Sequence, residues 1–192
     1  MFRHLLDSVV FILGLAVVCW IGAGYLGSNH LALLVTLLIG AGYVVGGLEL
    51  LRYRRATTTL ERSVAELSAP PASLEQWLEQ LDPSLRNATR LRIEGQRVAL
   101  PGPALTPYLV GLLVLLGMLG TLLGMMAMLR GTGLALETAT DLQAIRDSLA
   151  APVKGLGFAF GTSIAGVATS AMLGLLSALC RRERLRVVQL LD

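Results

Sequence analysis

The sequence predicts an all-α integral membrane protein with four transmembrane helices and a small cytoplasmic segment. Three observations carry that prediction. Of 192 residues, 54% are hydrophobic and 15% charged, too few charged groups to coat a soluble surface of this size. Four apolar runs each approach or exceed the ~20 residues a helix needs to cross ~30 Å of hydrocarbon. Arginines gather at the ends of these runs rather than along them.

The first run extends from about Leu5 to Leu26 and the second from about Leu31 to Leu51, with Gly27-Ser28-Asn29-His30 between them. Arg3 and the small residues Gly22-Ala23-Gly24 would also suit a signal peptide. The apolar core exceeds the ~7–15 residues of such a leader, and a second run follows almost at once. Residues 1–51 are therefore expected to form a retained transmembrane hairpin. Glu49, one turn from Arg52, reads as a snorkelling or paired interfacial residue.

Residues 52–104 form the expected cytoplasmic segment. Ser73-Leu74-Glu75-Gln76 has the form of a capping box opening a short amphipathic helix through Leu81. Beyond it Leu91, Ile93, Val98 and Leu100 alternate with polar residues around Glu94-Gly95-Gln96, a pattern that fits a small hairpin or a helical continuation. The third and fourth spans are placed at about 105–129 and 153–180. Pro107 and Pro152 lie near their starts, where a missing N–H costs nothing. A periplasmic loop lies between these spans, with Thr140 and Gln143 capping a short helix before Pro152. Residues 181–192 form a basic tail.

The arginines orient the chain. Placing both termini in the cytoplasm puts Arg52 to Arg62, Arg86 to Arg97 and Arg181 to Arg186 inside. Only Arg130, Arg146 and Lys154, the sole lysine, then lie outside, beside Glu137, Asp141 and Asp147. Arg52, Arg54, Arg55, Arg181 and Arg182 mark the cytoplasmic flank. With a net charge of only +3, such clusters beside membrane spans indicate a lipid surface rather than nucleic acid. Cys19 and Cys180 are expected to be free thiols. No metal-ligand spacing, phosphate loop or nucleophile–base set is present, so no metal, cofactor or enzymatic chemistry is expected.

Small residues mark one face of each of the last two spans. On the third, Gly117, Gly120, Thr121, Gly124 and Ala127 recur at spacings of three and four. On the fourth, Ala159, Ser163, Gly166, Ser170, Gly174 and Ser177 do the same. Such stripes let helices pack closely in lipid. Ordinary helix contacts within one chain account for the glycines. Thr121 and the Thr162-Ser163 pair at comparable depth fit either self-satisfied hydroxyls or groups lining a pathway. Neither interior holds an Asp, Glu, Lys, Arg or His, so a proton route would need its acid from elsewhere.

At this point the residues resemble a known family. Thr106-Pro107-Tyr108, Gly117-Met118-Leu119-Gly120-Thr121-Leu122-Leu123-Gly124-Met125 and Phe158-Ala159-Phe160-Gly161-Thr162-Ser163-Ile164-Ala165-Gly166 are similar to the MotA/TolQ/ExbB proton-channel family. The match covers residues 106 to 180, under half of the 192. The four-span arrangement looks more like the MotA and ZorA branches than the three-span TolQ/ExbB branch. The segment 52–104 is much smaller than a flagellar stator's torque-generating domain.

The resemblance implies a bacterial inner-membrane stator or molecular motor: a pentamer of this subunit surrounding a dimer of a single-helix MotB/ExbD/TolR/ZorB-like partner. The third and fourth helices would line the pore, and the partner would supply the proton-carrying Asp. Ion transport down the proton-motive force would then turn the pentamer. The family's pore hydroxyls map onto Thr121 and onto Ser163, with Thr162 competing for the second place. Helix packing would fall to Gly117, Gly120, Gly124, Ala159, Gly166, Ser170 and Gly174. The alternatives are a non-conducting membrane scaffold or a sodium-driven member of the same family.

Overall fold

The computed structural model describes residues 2–27, 30–65, 73–96, 98, 100–138 and 142–189; side-chain surroundings are described for these except at 2–4, 131–138, 142–155 and 158. Among the described residues there are six helices and no strand: α1 (Phe2–Tyr25), α2 (His30–Ala65), α3 (Leu74–Glu79), α4 (Pro83–Ile93), α5 (Thr106–Thr138) and α6 (Leu142–Gln189). Four are long and apolar enough to span a membrane, over Leu5–Tyr25, His30–Ala65, Thr106–Arg130 and Ala159–Gln189. The architecture is that of an all-helical, multi-pass membrane protein.

Both α2 and α6 outrun any bilayer. At 1.5 Å per residue, the 36 residues of α2 reach ~54 Å and the 48 of α6 reach ~72 Å. The sequence placed the fourth span's start near Pro152, after a separate short loop helix. The helix instead runs unbroken from Leu142 through Pro152. An interior proline removes one backbone hydrogen bond, and the rest of so long a helix holds the ladder. Thr140 lies outside the described residues, as do the side chains of Gln143 and Lys154.

The bundle is centred on α5 and α6, packed along their lengths, with α2 lying across both and α1 against α2 and α6. Its core includes Val35, Ile39 and Tyr43 of α2, Leu109 and Leu113 of α5, and Ala165 and Leu173 of α6. Tyr43 is fully buried, stacked on Phe11 of α1 with ring centroids 5.1 Å apart. Its hydroxyl donates to the Phe11 carbonyl at 3.3 Å. Gly14 and Gly47 leave the room: a Cβ at Gly14 would strike the Tyr43 hydroxyl, and one at Gly47 the Phe11 ring. Trp20, Leu115 and Leu122 remain largely exposed, an arrangement that lipid tolerates and water does not.

A second, smaller core forms where α2 leaves the bundle. Ala56 and Leu60 pack with Trp77 and Leu78 of α3, with Leu81 and Leu85, and with Val187 of α6. The Trp77 indole N–H donates to the Ser63 carbonyl at 3.2 Å. Ser73 does stand at the N-cap of α3, but its hydroxyl makes no capping bond and is buried without a partner. The helix stops at Glu79 rather than Leu81. Glu94 to Gln96, Val98 and Leu100 of the stretch that fits a hairpin or a helical continuation lie outside helix and strand, and its Leu91 to Ile93 are the last turn of α4. Asp82 caps α4 by accepting from the Ser84 N–H at 3.0 Å, and Pro83 fits its first turn. Gly95, at φ +86°, ends it in a conformation that favours glycine.

Ion pairs fix one end of the bundle. Arg54 of α2 meets Asp7 of α1 at 2.5 Å and Glu183 of α6 at 3.5 Å. The start of α1 and the far end of α6 therefore lie at the same end of the bundle, beside Arg52, Arg55, Arg181 and Arg182, all exposed.

Candidate functional site

Close approach of α5 to α6 defines the site. A Cβ placed on Gly166 would lie 2.5 Å from the Leu113 carbonyl oxygen and 2.7 Å from Gly117 Cα. One on Gly117 would lie 3.1 Å from Gly166 Cα and 3.3 Å from Ser163 Cα. One turn further along α5, Gly120 faces Thr162, and a Cβ there would sit 2.5 Å from its hydroxyl oxygen. Gly124 faces Ala159 at 3.0 Å in the same sense. Two helix backbones approach this closely only where side chains are missing.

The hydroxyls meet at one carbonyl. Thr162 is fully buried and donates to the Ala159 oxygen at 3.0 Å. Thr121 reaches the same oxygen from α5 at 3.2 Å and the Gly117 oxygen of its own helix at 3.1 Å. A hydroxyl carries one proton, so Thr121 alternates between these acceptors or shares its proton between them, and its oxygen can still accept. Thr121 is only half-buried, as is Ser163 on α6. Thr162 points inward, toward Gly120 and Val35.

The remaining small residues behave differently from one another. Ser170 crosses the gap, its hydroxyl donating to the Val110 carbonyl of α5 at 2.7 Å. Ala159 is buried, 2% exposed, under Gly124. Gly174 is loose, the nearest atom to an added Cβ being Val110 Cγ1 at 3.9 Å.

Three residues carry roles that sequence reasoning missed, Tyr25 beside the site and Glu49 and Arg184 at the arginine-rich end of the bundle. Tyr25, at the end of α1, is 3% exposed, hydrogen-bonds the Thr162 backbone and crowds Gly161. Glu49 of α2, read from sequence as an interfacial residue, holds the start of α5. Its carboxylate accepts from the Leu105 N–H at 2.9 Å and the Thr106 hydroxyl at 2.5 Å. A carboxylate at a helix N-terminus satisfies orphan N–H groups and meets the positive end of the dipole. Arg184 of α6 is almost wholly buried and binds the Pro101 carbonyl, the other side of the same turn. Thr106-Pro107 was a visible helix start in need of a cap. Nothing local pointed to an acid 56 residues away on another helix.

No protein-family model, curated protein or solved structure matches this chain.

Proposed function

We propose that this chain is the proton-channel subunit of an ion-driven membrane motor in a bacterial inner membrane, with its arginine-rich end and both termini cytoplasmic. Copies of it, five on the family resemblance, would surround a dimer of a single-helix partner that carries the proton on an Asp. The observation that carries the proposal is the half-buried Thr121. Its proton is turned toward carbonyls of α5 and α6 while its oxygen keeps accepting capacity at the edge of the helix pair. Such a group can accept a bond from water or from a protonated carboxyl without titrating itself. Ser163, half-buried on the facing helix, suits the second pore position better than the inward-facing Thr162. Moving one charge through ~100 mV yields ~2.3 kcal/mol, so useful work needs several protons per cycle.

The test is proton flux into vesicles holding this chain with its partner. Thr121→Ala and Ser163→Ala are each expected to cut flux by up to about tenfold, since a lost hydrogen bond of about 1.4 kcal/mol corresponds to a factor of about ten in rate. Unchanged flux in both variants, in stably assembled complexes, would remove the pore assignment and leave the scaffold reading. Sodium-dependent, proton-independent flux would assign the ion differently. A stable dimer in place of a larger ring would count against the assembly.

A further inference from the structure

Two contacts pin α1 to the bundle at different heights, and a cavity of about 260 Å³ lies between them. At one end Arg54 of α2 meets Asp7 at 2.5 Å. One turn further along α1, Phe11 stacks on Tyr43 and lies over Gly47, where an added Cβ would strike its ring. Closing the cavity by moving α1 inward would break the ion pair or drive Phe11 into α2. The space is therefore set by the fold rather than left by loose packing.

Its walls are mainly apolar. Leu50, Leu176 and Cys180, all buried, form the floor. Ile12 and Leu51 form the rim and are 61% and 50% exposed, so the cavity opens sideways from the bundle. These residues belong to three of the membrane-spanning helices, so the medium outside the rim is lipid. Asp7, Ser8 and Arg54 lie together at one end. That end adjoins the exposed Arg52, Arg55, Arg181 and Arg182, the depth at which headgroups lie. From Gly47 to Arg54 the lining follows α2 for about 10 Å, parallel to the helix axis. A void there forfeits the dispersion contacts of its lining. Water suits it poorly, because a buried water needs several polar partners and the floor offers one thiol. An apolar cavity of ~150 Å³ takes benzene, so in proportion about 260 Å³ holds about ten carbons. The apolar molecule that lipid supplies at this depth is the headgroup-proximal part of an acyl chain.

We propose that this cavity holds one acyl chain of a bilayer phospholipid, seated between α1, α2 and α6. The site does not depend on the pore or on what the pore conducts. The test reconstitutes the full chain into phospholipid vesicles containing a phospholipid with a diazirine midway along one acyl chain. After illumination, labelled residues are mapped by mass spectrometry. Label is expected on Leu50, Leu176 and Cys180 and not on Leu113 and Leu173, which are as deeply buried but lie outside the cavity. Cys180→Phe, which puts a ring into the space, is expected to abolish label on Leu50 and Leu176. Label on Trp20, exposed and outside the cavity, should not change. A ring at so buried a position can cost the fold. Leu51→Trp narrows the cavity from its half-exposed rim instead, and is expected to lower the floor label as well. Floor label no higher than that of Leu113 and Leu173 would overturn the site, as would floor label unchanged in either folded variant. An unlabelled floor with crosslinks between copies through Ile12 or Leu51 would give the cavity to a neighbouring copy and overturn the lipid. Loss of label to an equal concentration of free fatty acid would overturn the phospholipid as the source.

Discussion

The α5–α6 crossing and the arginine-rich end of the bundle are fastened by opposite means. At the crossing, contact depends on atoms that are absent: Gly117, Gly120, Gly124 and Gly166 bring the backbones together, and neutral hydroxyls bond to carbonyls. At the arginine end, contact depends on charge: Arg54 joins three helices, Glu49 caps α5, and Arg184 gathers Tyr53, Thr57 and Pro101. The physical setting explains the contrast. In hydrocarbon, apolar side chains gain nothing by meeting one another rather than lipid, so closeness itself supplies the attraction. Where headgroups and water begin, ions can be solvated on one side and paired on the other. Both devices act on α5, one along its middle and one at its start.

The largest effect should come from restoring a missing atom at the crossing. Gly166→Ala places a methyl 2.5 Å from a backbone carbonyl that no side-chain rotation can relieve. A loss of about 2–3 kcal/mol is expected, the upper part of the overpacking range, read as a lowered unfolding midpoint in detergent. Gly174→Ala on the same face meets nothing closer than 3.9 Å. It should be neutral, or slightly stabilising by up to about 0.5 kcal/mol through helix propensity. Equal losses at both sites would mean that the crossing does not depend on close approach.

The contrast also decides what was legible beforehand. Glycine and serine spacings at three and four are a local signal, and they identified the faces of α5 and α6. They did not separate Gly166, pinned between backbones, from Gly174, which is loose, because periodicity gives a face but not the distance to the neighbour. The starts of α1, α2 and α5 fell within a few residues of expectation, since apolar runs and Thr106-Pro107 mark them. The extensions of α2 to Ala65 and of α6 down to Leu142 were missed, because polarity ends a membrane span without ending a helix. The bonds made by Glu49, Tyr25 and Arg184 join residues far apart in the chain, and no window along the sequence contains both partners.

The next effect belongs to the charged end. Glu49→Ala removes the acceptor for the Leu105 N–H and the Thr106 hydroxyl, leaving the fully buried Thr106 without that partner. A cost of about 1–2 kcal/mol is expected, in the range for a lost N-cap. Glu49→Gln keeps one carbonyl acceptor and should recover about half. Hydrogen exchange separates the two ends: Glu49→Ala should speed exchange in the first turn of α5 and leave the amides around Gly120 unchanged. Acceleration along the whole of α5 would show that the two fastenings act as one.

The smallest effect tests whether polar bonds matter at the crossing once the glycines are in place. Ser170 donates to the Val110 carbonyl at 2.7 Å, the shortest hydroxyl bond between α5 and α6 among the described residues. That carbonyl is also the acceptor of its own helix's ladder, so losing the serine does not orphan it. Ser170→Ala is therefore expected to cost about 0.6 kcal/mol, the average for interhelical hydrogen bonds in membranes, and well below Gly166→Ala. The substitution keeps the Cβ and so isolates the hydroxyl from the packing. A loss above about 1.7 kcal/mol, the upper end of that range, would make the crossing depend on polar bonding as much as on closeness. The distinction between a crossing fastened by absent atoms and an end fastened by polar groups would then fail.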